Sequence, residues 1–302
     1  MSSTQKQVVM ITGASTGFGR LIAETLARKG HTVYATMRDV AGRNKTNVAE
    51  INALARRESL GLHTLELDVT SEASVVQAAG KVVEEAGRID VAVNNAGFAM
   101  LGLTEAVTIE QAQKIMDTNF FGPVRVNRAV LPHMRKQGSG LLMHVSSGAG
   151  RIVIPGAGHY CSTKFALEAL AESYHYELAS QGIDSVIVEP GAYTTPIFGS
   201  MIKAADETRT ATYGVTKDLP AKLDHILQSS GGDPQEVADV VLRIVETPAG
   251  QRQLRYRVSV ADIGVDEINT VCAAQQARLL ATFNLEKETT FVQRPAAATG
   301  SA

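Results

Sequence analysis

With 302 residues, 44% of them hydrophobic and 20% charged, the chain can form one large α/β domain with a sizeable core. A formal net charge of −2, no Trp and only 5% aromatics leave no basic surface or stacking platform for nucleic acid, and no charge that favours an anionic membrane. The two cysteines, Cys161 and Cys272, fit no metal-ligand spacing, so no metal is expected and both thiols read as structural in a reducing compartment.

Short β-branched runs alternate with helical patterns, which predicts a parallel sheet wound with helices on both faces. Val8 to Ile11 is the first strand, with a helix from about Gly19 to Lys29 after a turn. Thr32 to Thr36, Leu62 to Leu67 and Ile89 to Val93 are the next three strands. Thr108 and Gln111 form a capping box ahead of a long helix running towards Gln137. Leu141 to Val145 and Ser185 to Val188 are the fifth and sixth strands, and residues 256–260 suggest an edge strand. Asp233, Pro234 and Glu236 mark another helix start. Residues 192–232 make a long connection where strands of open sheets end, which suggests a substrate lid. Residues 1–294 read as one domain, and the small residues of 295–302 as a disordered tail. No stretch nears the roughly 18 apolar residues of a membrane span, and no apolar leader opens the chain. The expectation is a cytoplasmic protein without membrane contact.

Gly13, Ser15, Thr16, Gly17, Phe18 and Gly19 lie in the turn between the first strand and its helix. Glycines allow a tight turn and close approach to a pyrophosphate, and a helix N-terminus offers free N–H groups. A phosphate-loop NTPase would need Lys and Ser/Thr after the last glycine, where Arg20 and Leu21 stand. The same letters also match the G-x-S-x-G elbow of serine hydrolases, but no acid or His partner has supporting context.

Taken together, Thr12-Gly13-xxx-Gly17-x-Gly19, Asp68-Val69, Asn94-Asn95-Ala96-Gly97, Asn119, Ser146-Ser147, Tyr160-xxx-Lys164 and Pro190-Gly191 resemble the short-chain dehydrogenase/reductase family. The resemblance covers about residues 7 to 260, and residues 33–39 are similar to the hydroxysteroid and retinol branch. It implies a Rossmann-type fold of seven parallel strands, a nicotinamide cofactor and a homodimer or homotetramer. It also implies that Lys164 binds the nicotinamide ribose and that Asn119 holds a proton-relay water. Asp68 and Val69 would meet the adenine. Asn95, Ala96, Gly97, Pro190, Gly191 and Thr195 would line the cofactor.

The chemistry of the residues points the same way. Tyr160 and Lys164 lie four apart at a helix start and share a face. A free phenol has a pKa of about 10, and a nearby ammonium together with a positive nicotinamide ring should bring it towards working pH. Ser147, 13 residues before Tyr160 as in the family, would hold the substrate oxygen in preference to Ser146. His144 reads as a core histidine, and His159 is a minor candidate for substrate contact.

NADP(H) is expected over NAD(H), which remains possible. The acid that NAD-specific relatives place at the end of the second strand is Met37 here, and Arg38 follows to pair with a 2′-phosphate. Asp39 is the counter-candidate, read as pointing to solvent or pairing with Arg43. Phe98, Met100, Tyr193, Phe198 and Met201 suggest an apolar pocket for a small carbonyl or alcohol substrate whose identity is open. A cofactor-sensing regulator on the same fold is the alternative of a different class; such proteins typically lose Tyr or Lys, and both are present here. An epimerase or dehydratase would need a larger C-terminal substrate domain.

Overall fold

Runs buried along nearly their whole length make the central strands, and amphipathic runs between them make the covering helices. The computed structural model describes residues 6–193, 201–229, 231–259, 261 and 263–293. The first half runs β1 (Val8–Ile11), α1 (Gly17–Arg28), β2 (Thr32–Met37), α2 (Lys45–Arg57), β3 (Leu62–Glu66), α3 (Glu72–Ala86), β4 (Val91–Asn94) and β5 (Met100–Leu101). Then come α4 (Ile109–Met116), α5 (Gly122–Gln137), β6 (Gly140–Val145), α6 (Gly158–Ala179) and β7 (Ile183–Pro190). The chain continues through β8 (Ile202–Lys203), α7 (Glu207–Ala211), α8 (Leu219–Gln228), α9 (Gln235–Glu246), β9 (Arg255–Val258), α10 (Val265–Phe283) and α11 (Glu286–Thr289).

Seven strands form one parallel sheet in the order β3-β2-β1-β4-β6-β7-β9. The order reverses between β1 and β4, so the carboxyl ends of these two strands flank the crevice where open α/β sheets bind ligands. One face packs Ile22, Ala23, Leu26 and Ala27 of α1 and Val237, Val241 and Ile244 of α9 against the sheet. The other packs Val75, Ala78, Ala79 and Val82 of α3 and Val126, Val130 and Met134 of α5. Ser71 and Gly87, the latter at φ 74°, cap the two ends of α3.

Several expectations are revised. α1 begins at Gly17, so the last two glycines of the turn belong to its first turn. β2 runs one residue further, because Met37 is buried and pairs with Glu66 of β3. The long helix after Thr108 is interrupted by a π-turn, Asp117–Phe121. Such insertions cannot be read from apolar spacing and often stand at functional sites. The edge strand is Arg255–Val258, and Val260 lies outside the described residues. Much of 192–232 is folded into β8, α7 and α8, with β8 pairing to β5 in a second small sheet, so it is not a bare loop. α10, which periodicity did not announce, buries only Val265. Thr195, Phe198 and residues 295–302 lie outside the described residues.

The capping box at Thr108 is formed: its hydroxyl accepts from the Gln111 N–H at 3.3 Å, and the Thr108 N–H donates to Gln111 Oε1 at 3.2 Å. Thr108→Ala should therefore lower stability by about 1 kcal/mol, read as a shift of the urea midpoint at unchanged slope.

Candidate active site

Two constellations meet at the carboxyl ends of β1, β4 and β6. The first is the glycine turn. Thr12 Oγ accepts the N–H groups of Asn95 and Ala96, both at 3.0 Å, and donates to the Val93 carbonyl at 3.2 Å. Asn95 Nδ2 donates to the carbonyls of Thr12 and Gly13 at 2.9 and 3.0 Å. Gly13 (φ +67°) has no room for a side chain, because a Cβ would sit 2.8 Å from Ala96 Cα. At Gly19 a Cβ would meet Asn95 Nδ2 and the Gly13 carbonyl, both at 2.4 Å. The turn is thereby tied to β4, and Thr16 adds no side-chain cap to α1, leaving the first helical N–H groups free to bind an anion. Ser15 is half-buried and Thr16 exposed in this turn, while Phe18 packs edge-on against Tyr193 with ring centroids 5.8 Å apart.

At the end of β2 the Arg38 side chain is exposed and has no hydrogen bond or ion pair among the described residues. Asp39, at φ +52°, accepts the Arg43 main-chain N–H at 2.9 Å, so it closes its own turn rather than pairing with the Arg43 guanidinium. Asp68 gives one carboxylate oxygen to the N–H and hydroxyl of Thr70, at 2.9 and 2.8 Å. Val69 is buried against Gly122. Gly191, just past Pro190 and the end of β7, lies where a Cβ would meet Ser259 Oγ at 2.2 Å. Together these residues could hold a dinucleotide along the crevice.

The second constellation surrounds α6. Tyr160 and Lys164 stand one turn apart there, and Ser147 follows β6 in extended backbone. Ser147 Oγ accepts the Ala149 N–H at 3.1 Å, which leaves its own proton to donate. Burial drives the Tyr160 phenol up to about 12; the Ser147 hydroxyl pulls it back and Cys161 adds a smaller upward push. The lowering by Lys164 expected from the spacing is not what the chain's own groups produce. The ammonium donates to the Val145 carbonyl at 2.9 Å and lies 5.8 Å from the Tyr160 ring centroid. Burial brings Lys164 down to about 8, with Glu168 acting upward.

Asn119 sits in the π-turn. Its Oδ1 accepts from the Phe98 N–H at 3.1 Å, and its Nδ2 donates to the Phe98 carbonyl at 3.0 Å and to Thr163 Oγ at 3.1 Å. Thr163 in turn donates to the Tyr160 carbonyl at 2.8 Å. The Asn119 side chain thus braces the strand end and the Tyr160 turn. Thr163 escaped the sequence reading; its place in the spacer beside Lys164 was the available signal. Arg125 was also missed. It pins the π-turn by bonding Asp117 Oδ1 at 2.6 Å and the Val69 carbonyl at 3.1 Å.

Apolar groups line the approach to Tyr160. Leu101, Ile154, Met201 and Leu223 share one apolar cluster with it, and Phe98, Met100 and Ile202 share another. Tyr193 is no part of this lining: it is buried in the core with its hydroxyl on Glu236 at 2.9 Å. His159 is tied to the Thr104 carbonyl at 3.1 Å. His144 is buried in β6 and desolvated to about 3, a neutral core histidine. Cys161 is buried and accepts the Ile154 N–H at 3.3 Å, whereas Cys272 is exposed on α10, so only the first is structural. Among the described residues no cluster of His, Cys, Asp and Glu could hold a metal, and no helix is long and apolar enough to cross a membrane.

A family profile described as short chain dehydrogenase matches residues 7–206. The chain belongs to the short-chain dehydrogenase family. This dehydrogenase is 35% identical to 17-beta-hydroxysteroid dehydrogenase type 1 of Homo sapiens over 258 residues, 83% of this chain and 77% of the relative. Together with retinol dehydrogenases in the same range, that likeness places it in the hydroxysteroid/retinol dehydrogenase-like branch. A short-chain dehydrogenase from Streptomyces avermitilis has a similar structure, with TM-score 0.73 and 30% identity over 92% of this chain and 97% of that one. An alcohol dehydrogenase from Thermococcus sibiricus, solved with 5-hydroxy-NADP, superposes with TM-score 0.67 at 27% identity, covering 84% and 96%. The protein is therefore an oxidoreductase acting on CH–OH groups with a nicotinamide cofactor.

The packing at Gly19 gives a direct test. Gly19→Ala should cost about 1–3 kcal/mol in chemical denaturation, because the added methyl must displace Asn95 or the Gly13 carbonyl.

Proposed function

We propose that this dehydrogenase moves a hydride between NADP(H) and an apolar ketone, aldehyde or secondary alcohol, with Tyr160 as the proton donor and acceptor. The observation that carries the reading is the convergence of the Ser147 hydroxyl, the Tyr160 phenol and the Lys164 ammonium at one strand-and-helix junction. A nicotinamide ring bound beside them supplies or takes the hydride and, when oxidised, brings a positive charge. In reduction, Ser147 donates a hydrogen bond to the carbonyl oxygen and Tyr160 passes it a proton. In oxidation Tyr160 takes the alcohol proton, which requires positive charge near the phenol, since burial alone holds it up to about 12. The oxidised nicotinamide would bring that charge, and Lys164 would anchor the ribose. Asn119 supports the proton path, with its side chain engaged on Phe98 and Thr163.

The free Arg38 guanidinium, the buried Met37 and the engaged Asp39 all favour NADP(H), although NAD(H) can still bind. The glycine turn, Asp68-Val69, Asn95 to Gly97, Pro190-Gly191 and Thr195 would hold the dinucleotide. Residues 192–232 act as the substrate lid, supported by Met201 and Leu223 packing near Tyr160. We place the enzyme in the cytoplasm, where free thiols such as Cys161 and Cys272 persist. It is a homodimer or homotetramer, for which the exposed Phe121 and Phe165 beside α5 and on α6 offer apolar contact.

Tyr160→Phe should reduce turnover of any accepted ketone at least about a hundredfold while leaving nucleotide affinity near normal. A variant that keeps most of its activity removes Tyr160 from the mechanism. Arg38→Ala should lower kcat/KM for NADPH about tenfold or more and leave NADH nearly untouched. A clear NADH preference in the parent enzyme overturns the cofactor assignment.

A further inference from the structure

One turn beyond Lys164 on α6 lies a buried ionic cluster that the proposed chemistry does not use. Glu168 and Glu189, on α6 and β7, are 2% and 0% exposed. Arg255 of β9 stands between them, donating to Glu168 at 3.0 Å and to Glu172 at 2.7 Å, with Glu189 Oε1 at 3.6 Å. Asn269 of α10 donates to Glu189 Oε2 at 2.7 Å, while Glu189 Oε1 accepts no hydrogen bond among the described residues. From the β6 side, Ser146 faces Glu168, and Arg151 acts on both carboxylates. Gly150 makes room for this approach, since a Cβ there would meet Ser146 Oγ at 2.7 Å and Glu168 Cγ at 2.9 Å.

Buried carboxylates are costly unless they are compensated, and two around one guanidinium compete for it. Burial pushes both upward. Arg255 and Ser146 pull Glu168 back, whereas the Glu168 charge helps lift Glu189 to about 7. Glu168, held by the Arg255 guanidinium at 3.0 Å, is the carboxylate that stands one helical turn from Lys164. Glu168 is the charged group that acts on the Lys164 ammonium.

We propose that Glu168 is a positioning residue for Lys164, its carboxylate fixed by Arg255 one helical turn behind the ammonium. The assignment rests on the catalytic role of Lys164 given above, but its test does not need that role. The sign follows from the charges. A carboxylate near Lys164 favours the ammonium, so removing it makes Lys164 lose its proton at lower pH.

The experiment is an NMR titration of Lys164 13Cε in the free, lysine-labelled chain, assigned with Lys164→Arg, for the parent, Glu168→Gln and Glu189→Gln. Glu168→Gln should lower the Lys164 midpoint by about one pH unit, and Glu189→Gln should leave it in place. The alkaline limb of kcat/KM should move with the midpoint. An unmoved midpoint in Glu168→Gln, or equal shifts in both variants, overturns the proposal. A midpoint that moves while the kcat/KM limb stays fixed upholds the pairing and refutes instead the catalytic use of Lys164. Glu168→Gln leaves Arg255 its Glu172 and Glu189 partners, so no buried charge is stranded. Glu168→Met is the second uncharged variant and should give the same shift.

Discussion

The knot between Thr12 and Asn95 is the constraint on which the rest of the site depends. Two side chains and four main-chain groups join the end of β1 to the end of β4 where the strand order reverses. An open parallel sheet leaves a crevice at that place, and the knot ties its two walls together. Gly13 can turn there only because nothing extends from its Cα, and the free end of α1 is aimed by the same bonds.

From that anchor the chemistry is arranged along α6. Tyr160, Lys164 and Glu168 follow at intervals of one turn, so one helix face carries a phenol, an ammonium and a carboxylate from the crevice into the core. Two are held at the end of β6, where Ser147 meets the phenol and the Val145 carbonyl takes the ammonium, and the third by Arg255 at the start of β9. Burial sets the direction of every shift in the row, upward for the acids and downward for the amine, and the neighbours adjust it. A phenol driven upward by its surroundings exchanges protons near neutrality only when cationic charge is brought to it. This ties the proposed acid–base role of Tyr160 to an occupied nicotinamide site.

The central strands were legible because each is an apolar run too short for a helix and is bounded by turn residues. The capping box was legible because both of its partners lie within four residues. The motif positions of the site were legible for the same reason: Gly13 to Gly19 and Tyr160 to Lys164 are local spacings. The π-turn, the β5–β8 pair and α10 were not. A π-turn is set by what the widened backbone meets, here Phe98, Thr163 and Arg125. Two-residue strands carry no period, and a helix that buries only Val265 has no apolar face to announce it.

The order of motifs along the chain by itself determined the family, the parallel sheet and the pairing of Tyr160 with Lys164, since helical and strand periodicities are properties of neighbouring residues. Only the tertiary structure decided that Asn95 binds the glycine turn, that Asn119 has its side chain engaged, that Tyr193 is core, and that Arg255 gathers Glu168 and Glu189. Those contacts join residues dozens of positions apart. Their energies come from burial and from competition for shared partners, which take values only once the chain has closed around them.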